Sequence, residues 1–177
     1  MTEQPAGRER PGAGPAQLRE ALASFASGVT LVTIADGRDD VGTTVSAFCP
    51  LSADPPLVLV ALLAESYPAE VLGRPDGPAG FAVTLLATSQ RVLAGRFAAA
   101  GRPGARLLLD DVPRVRGSHS GALIPSGGLA ALDCQSAGQI PAGDHVMVIG
   151  RVLDVPYVTD APDPLIRFRG RYLSLSH

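Results

Sequence analysis

The stretch GTTVSAFCPLSADPPLVLVAL, residues 42–62, decides the fold, because a run of small polar residues directly precedes a double proline and an apolar segment. Leu57–Leu63 is predicted as a strand that is apolar on both faces, and Pro55–Pro56 removes two ladder donors just before it. A glycine and hydroxyl side chains beside such a strand are typical of a place where backbone approaches a ligand closely. This stretch therefore predicts a buried strand and, next to it, a binding position.

Toward the N-terminus, the pattern predicts a helix and a hairpin before this stretch. Residues 1–15 mix charges with Pro and Gly and are expected to form a disordered tail. A short amphipathic helix follows, with apolar residues at helical spacing up to Phe25. Val29–Ala35 and Val41–Phe48 then read as two strands joined by a long loop.

Toward the C-terminus, short strands alternate with capped helices. The predicted elements are a helix from Ser66 to about Leu72, a strand Phe81–Leu86, a helix capped by Thr88 or Ser89 with Val92, Leu93 and Phe97 facing inward, strands Leu129–Gln135 and His145–Val155, and a strand or hairpin over Leu165–Leu175. Residues 101–128 receive no assignment. The fold class is mainly β (α+β), with residues 16–177 as one domain, an antiparallel barrel flanked by short helices.

Composition limits the partners. The 15 basic residues are all arginine, and the net charge of −2 gives no basic excess for nucleic acid. The longest apolar run, Leu57–Ala64, is too short to span a bilayer, and no signal peptide is recognisable at the N-terminus. We therefore expect a cytoplasmic protein without nucleic-acid or membrane partners. Cys49 and Cys134 lack the spacing of redox or zinc motifs, so both are expected to be small buried residues.

Common catalytic motifs are absent from the sequence. It contains no Gly-x-Ser-x-Gly elbow, no P-loop and no Gly-x-Gly-x-x-Gly. The three histidines at positions 119, 145 and 177 do not have the close spacing of zinc ligands, so we expect no metal site. Any chemistry must then come from a bound cofactor, or the protein carries out none.

Five segments occur in an order that resembles the flavin reductase family, whose FMN-binding split-barrel proteins are the reductase components of two-component flavin-dependent monooxygenases. The segments are FASGVTLVT (25–33), GTTVSAFCPLSADPPLVLVAL (42–62), FAVTLLATSQRVLAGRFA (81–98), AGDHVMVIGRV (142–152) and PLIRFRGRYLSL (164–175). The resemblance covers residues 18–175. It implies a split barrel, a homodimer, and reduction of diffusible FAD or FMN by NADH or NADPH for a partner monooxygenase. The absence of lysine and of an evident arginine cluster beside a ribose site favours NADH.

The resemblance also implies a set of flavin-binding residues. They are Gly42, Thr44, Val45, Ser46, Ala47, Ala61, Leu62, Ser66 and Phe97. Donors along the first of these segments would stabilise the negative charge that reduction places on the ring. Ser66, at a helix N-terminus, resembles the phosphate position but can equally be only an N-cap. Phe97 can equally belong to the core, because it sits on the apolar stripe of its helix.

The nicotinamide nucleotide is assigned by the same resemblance to two other segments. Gly143, Asp144 and His145 form the first, with His145 the principal residue, although a histidine opening a strand can be purely structural. Arg169 and Tyr172 belong to the second, RFRGRYL. Read as one strand, it puts three arginines on one face and the aromatic residues on the other, and the arginines can equally be a solvated edge.

Two further functions remain open at this point. One is a split-barrel enzyme that keeps FMN tightly bound and reduces another substrate. The other is a flavin-binding carrier or sensor without turnover. The sequence favours the diffusible-flavin reductase.

Overall fold

The computed structural model of the chain describes residues 12–37, 39–160 and 163–175. Most of the predicted tail, residues 1–11, lies outside the described residues. The strands are β1 (Ser27–Gly28), β2 (Thr30–Ile34), β3 (Val41–Val45), β4 (Phe48–Ala53), β5 (Pro56–Leu63), β6 (Gly80–Leu85), β7 (Arg114–Arg116), β8 (Leu123–Pro125), β9 (Ala130–Ala142), β10 (His145–Val158), β11 (Ile166–Phe168) and β12 (Arg171–Leu173). The helices are α1 (Pro15–Ala23), α2 (Tyr67–Gly73), α3 (Arg91–Ala98) and α4 (Ala105–Leu108), with a 3-10 turn at Thr88–Gln90.

Seven strands form one antiparallel sheet in the order β3-β2-β6-β9-β10-β5-β4. Strands β3 and β4 lie at opposite edges, yet only Ser46 and Ala47 separate them in the chain. A sheet whose edge strands are joined by two residues has to roll until those edges meet. At this seam β3 contacts β5 without pairing with it. The seam is held by side chains, with Val45 and Val60 in the same buried cluster. The bond from the Ala61 amide to the Ala47 carbonyl, at 3.0 Å, extends the neighbouring β4–β5 ladder by one pair.

The roll of the sheet is supported by the long hairpin of β9 and β10. β9 pairs with β6 on one side of the hairpin and β10 pairs with β5 on the other, so the hairpin joins the two halves of the sheet. Register shifts interrupt the β9–β10 ladder in three places, the first between Ile149 and Gly150. Such irregularities bend a strand and increase its twist. They allow one continuous sheet to curl around the core.

The core lies on the inner face of the rolled sheet and under α2 and α3. In β5, buried Val58, Val60 and Leu62 alternate with more exposed residues, and Leu63 is 55% exposed. The strand is apolar on both faces, as predicted, but only one face is fully buried in the single chain. The residues of the other face, Leu57, Leu59 and Ala61, are half-buried.

The predicted helices are present, with changes in how they begin and what they bury. Neither Thr88 nor Ser89 caps α3, because both lie in the 3-10 turn before it, where the Gln90 side chain accepts from the Ala87 amide. α1 has no buried residue, so no other part of the described chain covers its apolar side. In α3, Leu93 and Phe97 face the core as predicted, but Val92 is 70% exposed. The unassigned residues 101–128 contain α4 and the two-stranded β7–β8 hairpin.

The two cysteines differ. Cys134 is completely buried, and burial raises the pKa of its thiol to about 12. Cys49 is exposed on β4, so the expectation that both are buried is wrong for Cys49.

The segment RFRGRYL is a hairpin and not a single strand. Arg169, with φ of 47°, and Gly170, with φ of 74°, form the turn between β11 and β12. Arg167 lies opposite Tyr172, and its guanidinium carbon is 5.8 Å from the centre of that ring. The predicted separation of arginines and aromatics onto two faces is therefore wrong, because the left-handed turn reverses the chain. β11 also pairs with β1, which joins the two ends of the described chain.

Among the described residues, no helix is long and apolar enough to cross a membrane.

Gly42 on β3 lies directly against α3. A Cβ built on Gly42 would be 2.8 Å from Cδ1 of Phe97 and still closer to Cε1. The Phe97 ring is fully buried, so it has little room to move away. Glycine at this position lets β3 lie on the helix.

Replacing Gly42 with Ala should destabilise the protein by about 1–3 kcal/mol, because the extra methyl overpacks the Phe97 contact. Urea unfolding followed by circular dichroism measures the change. Gly95→Ala on α3 is the matched control, since nothing lies within 4 Å of a Cβ there. Ala is a better helix former than Gly, so that control should be neutral or stabilising by up to about 1 kcal/mol. Equal stability of the two variants would contradict the packing argument.

Candidate functional site

A groove of about 220 Å³ runs along the seam between β3 and β5. It is lined by Thr43, Thr44, Val45, Ser46, Ala47, Ala61, Leu62, Leu63, Ser66 and His145. The seam creates it, because β3 and β5 approach each other there without pairing. Seven of the nine residues assigned to the flavin, together with His145, are brought into this one groove.

The β3 side of the groove consists of small and hydroxyl-bearing residues. Thr43 and Thr44 are half-buried, and Ser46 and Ala47 are exposed where the chain leaves the strand. Such residues leave the backbone accessible to a flat ring and supply hydroxyl donors. This surface fits a flavin, because preorganised donors can meet the charge that reduction places on its ring.

Ser66 stands at the start of α2 and at one end of the groove. Its Oγ donates to the Leu63 carbonyl at 2.6 Å and accepts from the Ala69 amide at 3.4 Å. The hydroxyl is thus an N-cap, which is the alternative that the sequence left open. The residue still lines the groove, so it can contact a ligand while capping the helix.

His145 enters the groove from the first position of β10. Its backbone is aligned between Leu63 of β5 and Ala142 of β9, and the tight turn before it uses Gly143 with φ of 65°. Nδ1 of His145 is 2.6 Å from Oδ1 of Asp144. The hydrogen bond to His145 and the charge of its ring lower the pKa of Asp144. An ionised carboxylate only accepts, so Nδ1 donates to it and Nε2 is left for other contacts.

Six assigned residues do not line the groove, namely Gly42, Phe97, Gly143, Asp144, Arg169 and Tyr172. Gly42 lines a neighbouring cleft instead. Phe97 is fully buried in the core beneath Gly42. Of the two interpretations that the sequence left open for Phe97, the structure therefore shows core packing. Tyr172 lines a different cavity with Thr88 and Arg91, and Arg169 occupies the β11–β12 turn with its guanidinium 5.4 Å from the Phe168 ring centre. Within one chain, neither Arg169 nor Tyr172 lines the groove with His145.

Two cavities beside the groove were missed by the sequence reasoning. An apolar slot of about 440 Å³ opens on the other side of Ser46, with Phe25, Phe48 and Leu129 in its wall. The FASGVT segment that begins at Phe25 was a signal for it. The second is a cleft of about 440 Å³ that contains Arg102. Its loop lies in the unassigned region, so no pattern pointed to it.

The groove alone is smaller than the roughly 300–1,000 Å³ typical of small-molecule sites. A flavin seated there must extend into a neighbouring cavity or be covered by another chain. Among the described residues, no group of three or more His, Cys, Asp and Glu side chains could hold a metal ion.

A family model described as a flavin reductase like domain matches residues 22–176. The reductase component of 4-hydroxyphenylacetate 3-monooxygenase from Thermus thermophilus is 38% identical over 158 residues, which cover 89% of this chain and 95% of that protein. An NADH-dependent flavin reductase from a Rhodococcus species is 36% identical over 179 residues, and the match covers 99% of this chain and 94% of that protein.

Among solved structures, the NADH:FAD oxidoreductase SgcE6 of Streptomyces globisporus, in complex with NAD and FAD fragments, superposes with a TM-score of 0.81. The two chains are 29% identical, and the match covers 91% of this chain and 92% of that one. The predicted mainly β, split-barrel fold is confirmed by this likeness together with the rolled antiparallel sheet. Since the family model spans nearly the whole domain and both relatives exceed 30% identity, the chain belongs to the flavin reductase like family.

Proposed function

We propose that the protein is an NADH-dependent flavin reductase that reduces diffusible FAD or FMN and releases the reduced flavin to a partner monooxygenase. The observation that carries this proposal is the seam groove, where small residues of β3 and β5 meet His145. The relatives support it, since one is named an NADH-dependent flavin reductase and another the reductase component of a monooxygenase.

The nicotinamide and flavin rings supply the redox chemistry, so the chain has to bind, orient and shield them. Thr44 and Ser46 offer hydroxyl donors along one side of the groove. His145 faces the same space, and Asp144 fixes its tautomer and ring position. No acid or base from the protein is needed for direct hydride transfer, so the His145–Asp144 pair is assigned to orienting the donor.

The groove is shallow and lies at the surface, with Ser46 and Ala47 exposed. A ligand held in such a place can exchange with solvent. This favours a flavin that acts as a substrate over a flavin that stays bound.

The reductase is further proposed to be a homodimer. α1 exposes Leu18 by 50% and Leu22 by 60%, and Phe25 beyond its end is 75% exposed at the lip of the apolar slot. The β9–β10 hairpin also exposes Leu153 and Val155. Large exposed apolar surface marks interaction sites, and a second copy would cover it and deepen the groove. We also propose a cytoplasmic location, which the two free cysteines support.

Purified protein mixed with NADH should consume it only when FAD or FMN is added. Loss of nicotinamide absorbance measures this, with NADPH and riboflavin compared in parallel. A colourless preparation that needs added flavin supports the reductase. A yellow preparation whose activity ignores added flavin would favour a tightly bound cofactor, and absence of turnover with every pair would favour a carrier or sensor.

Replacing His145 with Ala should raise the KM for NADH by about tenfold and change the KM for flavin much less, because one hydrogen bond to the donor is lost. Steady-state kinetics with each substrate varied separately measures both constants. His119→Ala is the matched control, since His119 is exposed in the loop before β8. Equal effects of His145→Ala on both constants would contradict its assigned role.

Sedimentation equilibrium should give twice the chain mass of 18.2 kDa. Phe25→Asp should shift the protein toward monomer, because it places a charge in the proposed contact. Val92→Asp on the exposed side of α3 is the control and should remain dimeric. A monomeric wild type would refute the homodimer.

A further inference from the structure

The cleft beside the groove has features of a binding site for a charged ligand. It measures about 440 Å³, within the roughly 300–1,000 Å³ of small-molecule sites. Its walls are the start of β3, the start of α2 and the loop before α4, namely Asp39, Asp40, Val41, Gly42, Ser66, Tyr67, Pro68, Gly101, Arg102, Pro103 and Gly104. Ser66 lines both cavities, and Gly42 in the cleft directly precedes Thr43 in the groove. The cleft and the groove are therefore adjacent, with Ser66 in the wall of both.

Arg102 is the cation of this cleft. Its Nε donates to the Gly42 carbonyl at 2.9 Å and its Nη1 to the Ala99 carbonyl at 3.2 Å. These bonds fix the guanidinium but do not neutralise it, and partial burial lowers its pKa. Among the ion pairs of the described residues, none includes Arg102. A half-buried positive charge without a counter-ion is suited to an anionic ligand.

The acidic residues of the cleft do not cancel this charge. Asp40 is 1% exposed and is committed to Arg106 at 3.0 Å and Arg116 at 2.7 Å. Asp39 is exposed to solvent and forms no ion pair with Arg102. The guanidinium is thus the charged group of the cleft that remains available.

Tyr67 adds an aromatic wall to the cleft. Its hydroxyl donates to Oδ2 of Asp36 at 2.7 Å, and the Arg74 guanidinium lies 5.4 Å from its ring centre. The ring is therefore fixed in place while the residue stays 52% exposed. A nucleobase stacks favourably on such a ring.

We propose that this cleft binds the adenylate half of FAD, with Arg102 on the diphosphate and Tyr67 against the adenine, so that the protein prefers FAD to FMN. The inference rests on the proposed function, because it requires the flavin ring in the seam groove. The preference follows from the layout, since FMN ends near Ser66 and leaves the cleft empty. Riboflavin reaches neither the phosphate position nor the cleft.

Equilibrium titration of FAD, FMN and riboflavin by flavin fluorescence, without NADH, tests the inference. Wild type should bind FAD most tightly. Arg102→Gln keeps an amide donor for the Gly42 carbonyl but removes the positive charge. The affinity for FAD should fall by about tenfold, because one charged hydrogen-bond partner is lost. Riboflavin binding should stay within about twofold.

Tyr67→Leu tests the adenine contact separately from the phosphate contact. This change should weaken FAD binding several-fold and leave FMN binding unchanged. Arg96→Gln is the matched control, because it removes the same charge from an exposed ion pair with Asp111. The inference would be overturned if wild type bound FAD and FMN with equal affinity. It would also be overturned if Arg102→Gln lowered the affinity for all three flavins equally, or if both variants lowered the affinities for FAD and FMN equally. NADH-driven turnover of FMN or riboflavin by wild type would leave the reductase function standing in each case.

Discussion

The buried carboxylate of Asp40 is the constraint on which the binding side of the molecule depends. It directly precedes β3, has φ of 41°, and holds Arg106 and Arg116 through one oxygen. Its carbonyl also accepts from the Ala105 amide at 2.8 Å. The start of β3, the α4 loop and the β7 strand are therefore joined at one residue. The cleft, which Asp40 lines, depends directly on this junction, and the groove begins three residues further along, at Thr43.

The charges at this junction explain why it is stable at neutral pH. Burial raises the pKa of Asp40, but the hydrogen bonds and charges of Arg116 and Arg106 outweigh burial and leave it below its ordinary value. A lowered pKa in the folded state stabilises the protein above the pKa of the unfolded chain. That stabilisation is lost as the pH falls through the folded value, so the junction weakens only in acid. Both arginines are nearly half exposed, so solvent screens the ion pairs and their contribution to the free energy of unfolding is moderate.

Sequence reasoning pointed to the β3 side of the groove because its residues are consecutive and chemically unusual, and the resemblance to the flavin reductase family added Ala61, Leu62, Ser66 and His145. Thr44 to Ala47 and Ser66 flank an apolar strand, and small polar residues there have few structural explanations. Phe97 was misassigned to the flavin because an aromatic on a helix stripe looks the same whether it meets a ligand or the core. Only the close approach of Gly42 distinguishes the two, and that contact joins distant parts of the chain.

Other errors have equally local causes. RFRGRYL alternates like a strand, but Arg169 and Gly170 adopt left-handed backbone and turn the chain back. Arg102 could not be predicted from the sequence, because its loop shows no periodic pattern of apolar residues. Its proposed role depends on the lack of a counter-ion in the folded chain, which no sequence motif indicates. Cys49 is exposed because β4 is an edge strand beyond the core.

The seam also has a dynamic consequence. Most neighbouring strands of the sheet are joined by continuous ladders, whereas β3 and β5 are not paired and meet through side chains. Local opening begins where the fewest backbone hydrogen bonds must break. Breathing of the sheet should therefore concentrate at Ser46 and Ala47, with β2, β6 and β9 remaining protected from hydrogen exchange. The groove can then open and close around a flavin ring that binds reversibly, while the core stays folded.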